Sequence, residues 1–362
     1  MASALSLVGY AWRMVRGSRL AVLLVLGLAL AAFLIWRVWL ARSAPVSTIR
    51  KAPAPIASAA PSSLVDPLFS GHPALLDSAR PPLGPNWVHA PPDAKFQYSR
   101  KAAERGGVEP CGAPPSSAEA TVSPLSRGYL FIPDKQVLDG QGSFDLVIHL
   151  HGESPVRREL VASEQPFVLY TLTLPVGESY APLFAGSGFL RQMIEEITQV
   201  VSKRAGSTAH VGHLALSAWS AGFEGARSIL YQPEAERVAA LLLIDGFHAP
   251  RGPNGLATHL EPFVRFARRA MKGETWFVIT HSSIPTGDYT STTESAHFLI
   301  SELGGHPTAV RRDDGFGLEL VDFFASGNLN VRGYAGNDKA DHCAQLFLLR
   351  TLFSALHQHF HP

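Results

Sequence analysis

Cysteine is almost absent: the 362 residues contain two, Cys111 and Cys343. That number is too small for a disulfide-built scaffold, and the pair has no metal-type spacing. The two read either as buried free thiols, the plainer option, or as one disulfide tying the start of the folded region to a histidine loop, which requires a compartment outside the reducing cytosol. Charge is also sparse, at 17% of residues, and nearly balanced, with 31 basic against 30 acidic side chains and a net charge of +1. Without a basic surplus, nucleic acid is not an expected partner. No HExxH-type spacing and no internal repeat occur, which argues against a helix-borne zinc peptidase site and against repeat architectures.

What the chain does have is apolar residue, 46% of the total, enough for one large core plus appendages. Leu20 to Trp36 carries no charge, and the apolar run resumes after Arg37 through Val38, Trp39 and Leu40. At 1.5 Å per residue, about 21 residues cross the roughly 30 Å of a hydrocarbon core. Trp36 and Trp39 beside Arg37 and Arg42 suit an interfacial belt. Residues 20–40 are therefore expected to be a transmembrane signal anchor in a lipid bilayer, after a short tail, 1–19. Basic residues flank the span on both sides, so charge does not fix its orientation. A short tail inside and the bulk outside, extracytoplasmic, is the preferred arrangement. Residues 41–92 hold 11 of the 27 prolines, mixed with Ala and Ser, and read as a disordered tether. The folded region is expected within 93–362.

From Gly128 onward, apolar strand candidates alternate with helical patterns. The strands are 128–133, 146–151, 167–174, 211–219, 238–244, 276–280 and 329–335; the helices are 188–203, 221–231, 258–271, 292–303 and 344–358. Continuous apolar strands alternating with helices predict an α/β fold, a mostly parallel sheet with helices on both faces. In such sheets function collects at the carboxyl ends of strands, where His151, Ser220, Asp245, His281 and the His342 loop all fall.

The strand-to-helix passage at Ala218-Trp219-Ser220-Ala221-Gly222 is the strongest motif. A small-x-Ser-x-Gly turn projects its hydroxyl from the sheet edge, and the residues two before and two after must be small. Ser217 is a poorer candidate because Trp219 would stand where a small residue is needed. Here the chain resembles the α/β-hydrolase superfamily of serine esterases, lipases and peptidases. Asp145-Leu-Val-Ile-His-Leu-His151-Gly152 looks like that family's oxyanion loop, and Asn330 to Gln345 like its late strand, histidine loop and final helix. The resemblance implies Ser220 as nucleophile, His342 as general base and then acid, and backbone N–H groups of Gly152 and Ala221 as the oxyanion hole. Asp245, closing the strand after the nucleophile strand, is the first choice for the acid. Asp288, seven residues past the next strand, is the second. Asp338 and Asp341 flank His342 as ordinary loop charges.

His151, Trp219 and His281 are expected to shape the pocket. His149, His151, His248, His281 and His342 with Asp245 could in principle surround a metal ion, but structural histidines fit better, so no metal and no cofactor are expected. Only a short connection separates Asp245 from the helix near Thr258, which suggests an open cleft without a large lid; Pro175 to Phe184 is the nearest local cover. The expected substrate is a small-molecule or cell-envelope ester or amide. The alternative is a catalytically inactive hydrolase fold kept as a binding or scaffold module at the membrane.

Overall fold

The computed structural model describes Cys111 and residues 120–362, apart from 176–177, 187, 253–254 and 316. The expected tail, membrane span and tether lie outside the described residues. Among the described residues no helix is long and apolar enough to cross a membrane.

Ten strands form one sheet. In chain order they are β1 (Ala120–Pro124), β2 (Tyr129–Pro133), β3 (Ser143–Leu150), β4 (Val168–Leu172), β5 (His210–Trp219), β6 (Val238–Ile244), β7 (Trp276–Ser282), β8 (Thr308–Asp313), β9 (Glu319–Ser326) and β10 (Leu329–Tyr334). Across the sheet the order is β1-β2-β4-β3-β5-β6-β7-β10-β9-β8. The central run from β4 to β10 is parallel, and β2-β1 and β9-β8 extend it antiparallel at the two ends.

The helices are α1 (Glu153–Ser163), α2 (Tyr180–Ala185), α3 (Phe189–Ala205), α4 (Phe223–Ile229), α5 (Gly255–Met271), α6 (Thr292–Glu302), α7 (Lys339–Ala344) and α8 (Leu348–Phe360). Alternation along the strands divides the core between two faces. In β6, Leu241 and Leu243 join the apolar layer under α2 to α6, whereas Leu242 and Ile244 join the layer with Val156 and Leu160 of α1 and Leu352, Phe353 and Leu356 of α8. Burial on both faces explains the unbroken apolar stretches of the central strands.

All seven expected strands are present. The sequence reading overlooked β1, β8 and β9 because antiparallel outer strands are only half buried and lack a continuous apolar run. β8, Thr-Ala-Val-Arg-Arg-Asp, carries charge on an exposed edge, a common defence against edge-to-edge pairing. The helices α1, α2 and α7 were also overlooked. The expected cover at Pro175 to Phe184 contains α2, whose Tyr180 and Phe184 are buried, so much of it is core rather than cover.

Cys111 and Cys343 are joined in a disulfide with Cα atoms 5.3 Å apart, correcting the free-thiol preference. A separation of 232 residues leaves no local signal for that pairing.

Candidate active site

Ser220 follows the last residue of β5 with φ 52°, a left-handed conformation that costs a non-glycine residue about 1–3 kcal/mol. Two glycines make the turn possible. A Cβ on Gly222 would lie 2.0 Å from the carbonyl oxygen of Leu150, and one on Gly246 would lie 2.4 Å from that of Ser220. The serine turn is thus wedged between the ends of β3 and β6. Besides Ser220, His151 (φ 74°) and Asp245 (φ 41°) are left-handed, so three adjacent strands release strained residues at one sheet edge. The remaining left-handed non-glycine among the described residues, Glu164, ends α1.

Asp245 is 1% exposed. Its Oδ2 lies 2.7 Å from Nδ1 of His342, the Ser282 hydroxyl donates to both carboxylate oxygens at 2.8 and 2.9 Å, and the Thr292 hydroxyl donates to Oδ1 at 2.7 Å. Burial pushes the carboxyl upward. The hydrogen bond and charge of His342, with the Thr292 and Ser282 hydroxyls, outweigh it and hold the group below the ordinary carboxylate value. An ionised carboxylate only accepts, so Nδ1 of His342 carries the proton and Nε2 is the ring's basic atom.

Packing holds the His342 ring as well. It stacks on the indole of Trp219 at 4.7 Å between ring centroids, and Trp219 Nε1–H donates to the His342 carbonyl at 3.3 Å. His151 stacks on the same indole at 5.3 Å. Asp338 caps α7 by accepting from Asp341 N–H, and Asp341 accepts from Asn337 N–H, so both flanking carboxylates serve the turn. Cys343, the next residue, is anchored by the disulfide. The structure therefore brings Asp245 and His342 into contact, and Asp245's neighbour Gly246 against Ser220. Among the described residues the Ser220 hydroxyl makes no hydrogen bond; catalytic contacts are commonly loose without substrate.

Two expectations need correction, Gly152 as a free oxyanion donor and His281 as a pocket wall. Gly152 N–H donates to the Thr173 hydroxyl at 3.1 Å, so it is not a free oxyanion donor here. Ala221 is the second residue of the short 3-10 turn Ser220–Gly222, where the first amides have no acceptor within the helix. His281 does not wall the pocket: it is buried against Asp322 and Thr293. Asp288 is exposed on the loop after β7, while Asp245 holds the histidine.

Sequence reasoning missed the groups that hold these residues. Ser282 ends β7 beside Asp245, so the strand-end rule applied one residue beyond His281 would have found it. Thr292 follows the N-cap of α6, whose Ser291–Glu294 capping box is readable in Ser-Thr-Thr-Glu. The remaining group is a buried His149–Ser217 pair across β3 and β5. His149 Nε2 is 2.7 Å from the His151 carbonyl and Nδ1 is 2.8 Å from the Ser217 hydroxyl. A carbonyl only accepts, so Nε2 carries the hydrogen and Nδ1 receives the Ser217 proton. The neutral ring thereby fixes the strained His151 turn.

Burial lowers the His149 pKa to about 3. Unfolded histidine takes up its proton near pH 6.5 and the folded residue does not, so the stability from keeping it neutral is present above that value and lost as pH falls toward 3. Between pH 7 and 5 the protein should lose about 2 kcal/mol more unfolding free energy than His149→Gln, measured by urea unfolding. Equal losses in the two proteins would remove His149 from this role.

No family model matches the chain, and no curated protein does. Solved structures of similar shape include a thermostable esterase, 14% identical with a TM-score of 0.39 over 67% of this chain and 62% of that one, so the chain spans less than two thirds of it. A ferulic acid esterase is 12% identical, with a TM-score of 0.39 over 66% of this chain and 98% of that one. A carboxylesterase from Bacillus subtilis is 11% identical, with a TM-score of 0.36 over 72% and 94%. These are likenesses of shape. The strained serine turn and the chain order serine, aspartate, histidine are this chain's own features.

Proposed function

We propose that this chain, whose fold is α/β-hydrolase-like, is a membrane-anchored serine hydrolase that cleaves a carboxylic ester or amide through an acyl-enzyme on Ser220. The observation that carries this reading is the 2.7 Å contact between His342 Nδ1 and the buried Asp245 carboxylate, at the sheet edge where Ser220 is held left-handed. Ser220 Oγ attacks the substrate carbonyl carbon while Nε2 of His342 takes its proton, and Asp245 balances the imidazolium that forms. Ala221 N–H faces the developing oxyanion. Collapse of the tetrahedral intermediate returns the proton from Nε2 to the leaving alcohol or amine. A water activated by the same nitrogen then hydrolyses the acyl-enzyme.

The apolar run at 20–40 would anchor the chain, with 41–92 as tether and the domain outside the cytoplasm. The Cys111–Cys343 disulfide supports an oxidising location. The short connection from Asp245 to Gly255 supports an open cleft suited to a small-molecule or cell-envelope substrate.

The second reading, a fold retained for binding, is favoured by the engaged Gly152 amide. A series of p-nitrophenyl esters and anilides of graded acyl length separates the two. Saturable turnover that peaks at one length supports the enzyme, whereas folded protein with no turnover of any member supports the binding module.

A further inference from the structure

His281, His297 and Asp322 converge from three elements, β7, α6 and β9, on the far side of the shelf that holds Asp245. Their neighbours Ser282 and Thr292 bond Asp245, while His281, Asp322 and Thr293 turn toward one another. His281 and Asp322 are each 1% exposed and His297 is 25% exposed, so the group is buried with one ring reaching toward solvent.

Two features set this cluster apart from an ordinary hydrogen-bonded group. The first is the tautomer of His281. The Thr293 hydroxyl gives its one proton to the Ser282 carbonyl at 2.7 Å, so toward His281 Nδ1, 3.0 Å away, it can only accept. Nδ1 therefore carries a ring hydrogen, which leaves Nε2 and Asp322 Oδ1, 3.1 Å apart, to share a cation between them, either a second ring proton or a metal ion. A metal ion there would take the place of that proton, with both atoms as its ligands. A hydrogen bond from the outer ring nitrogen is also how a metal-bound histidine is commonly oriented.

The second is distance. His281 Nε2 is 3.1 Å from Asp322 Oδ1, and His297 Nε2 is 3.4 Å from Oδ2. Charge-assisted bonds are shorter, about 2.7–2.9 Å, as in His342–Asp245 at 2.7 Å and His213–Asp145 at 2.8 Å. Ligand atoms about 2.0–2.1 Å from a tetrahedral zinc stand about 3.3 Å apart. The three potential ligand atoms already lie within 4.8 Å of one another. Room is kept by Gly333 of β10, where a Cβ would fall 2.4 Å from Asp322 Oδ2 and 2.5 Å from His281 Cε1.

We propose that His281 Nε2, His297 Nε2 and an Asp322 carboxylate oxygen bind one divalent cation of the zinc class, with a water in the fourth position. The ion braces β7, β9 and α6 behind the residues that orient Asp245. The site stands apart from the chemistry of Ser220 and does not depend on it. The two histidines stand 41 and 25 residues before Asp322 on separate elements, so no short spacing motif marks the site.

Zinc chloride is added to the EDTA-treated full chain, unbound metal is removed by gel filtration, and bound zinc is measured by mass spectrometry together with the thermal midpoint. The same is done for His297→Ala, for His297→Cys, which restores a ligand, and for the double variant His213→Ala/His361→Ala, which removes the other candidate cluster around Asp145. The expected result is one tight zinc per chain with a raised midpoint, kept in the double variant and in His297→Cys, and at least ~100-fold weaker binding in His297→Ala. Zinc that persists in His297→Ala, that disappears in His297→Cys or in the double variant, or that never reaches one per chain overturns the proposal. The wild-type stoichiometry keeps the test decisive even if a variant does not fold.

Discussion

Ser220→Ala is expected to lower kcat on any ester the protein turns over by about 10⁴–10⁶-fold, with little change in KM. The loss is large because no other hydroxyl occupies the turn, and His342 then has no proton to accept from a nucleophile. Folding should survive the change. Ser220 sits at φ 52°, wedged by Gly222 and Gly246, and alanine meets the same backbone strain without adding volume. Ser220→Gly should be equally inactive yet more stable than the parent by about 1 kcal/mol, because glycine adopts positive φ without that cost. Thermal unfolding and steady-state kinetics on the same preparations check both statements. An Ala variant with a tenth or more of parental kcat would show that the hydroxyl is not the nucleophile.

Asp245→Asn should reduce kcat by about 10³–10⁴-fold while Asp288→Asn stays near the parent. The carboxylate accepts hydrogen bonds from His342 Nδ1, Ser282 and Thr292. An amide in its place can turn its NH2 group toward Nδ1, which shifts the ring hydrogen to Nε2 and leaves that nitrogen unable to accept from Ser220. Asp288, exposed on its loop, touches none of these groups. Kinetics of the two variants decide the matter: loss confined to Asp288→Asn would overturn the assignment of the acid.

The parts of this site that are written locally were legible. The apolar stretch ending in Ala-Trp-Ser-Ala-Gly marked Ser220, and placement at a strand end singled out Asp245, because a parallel sheet buried on both faces needs continuous apolar strands and leaves polar residues at their ends. His342 was legible from its loop after the last apolar strand. What was not legible depends on contacts between distant segments. Thr173 capturing the Gly152 amide joins the ends of neighbouring strands, and nothing in either segment announces it. His281 and Ser282 are adjacent at a strand end, and alternation sends one to Asp245 and the other to Asp322. Without the register, sequence could not say which, and the histidine was the wrong choice. The β8–β9 pair escaped because half-exposed antiparallel strands mix charge with apolar residues. The span at 20–40 and the tether at 41–92 lie outside the described residues.

Fluorophosphonate labelling of the full chain, with the modified peptide located by mass spectrometry, tests the central claim most directly, since the reagent reacts with a serine only where a base activates it. The account predicts a single adduct on Ser220 that vanishes in Ser220→Ala and falls sharply in Asp245→Asn. Folded protein that takes up no label, or an adduct on another serine, would contradict it.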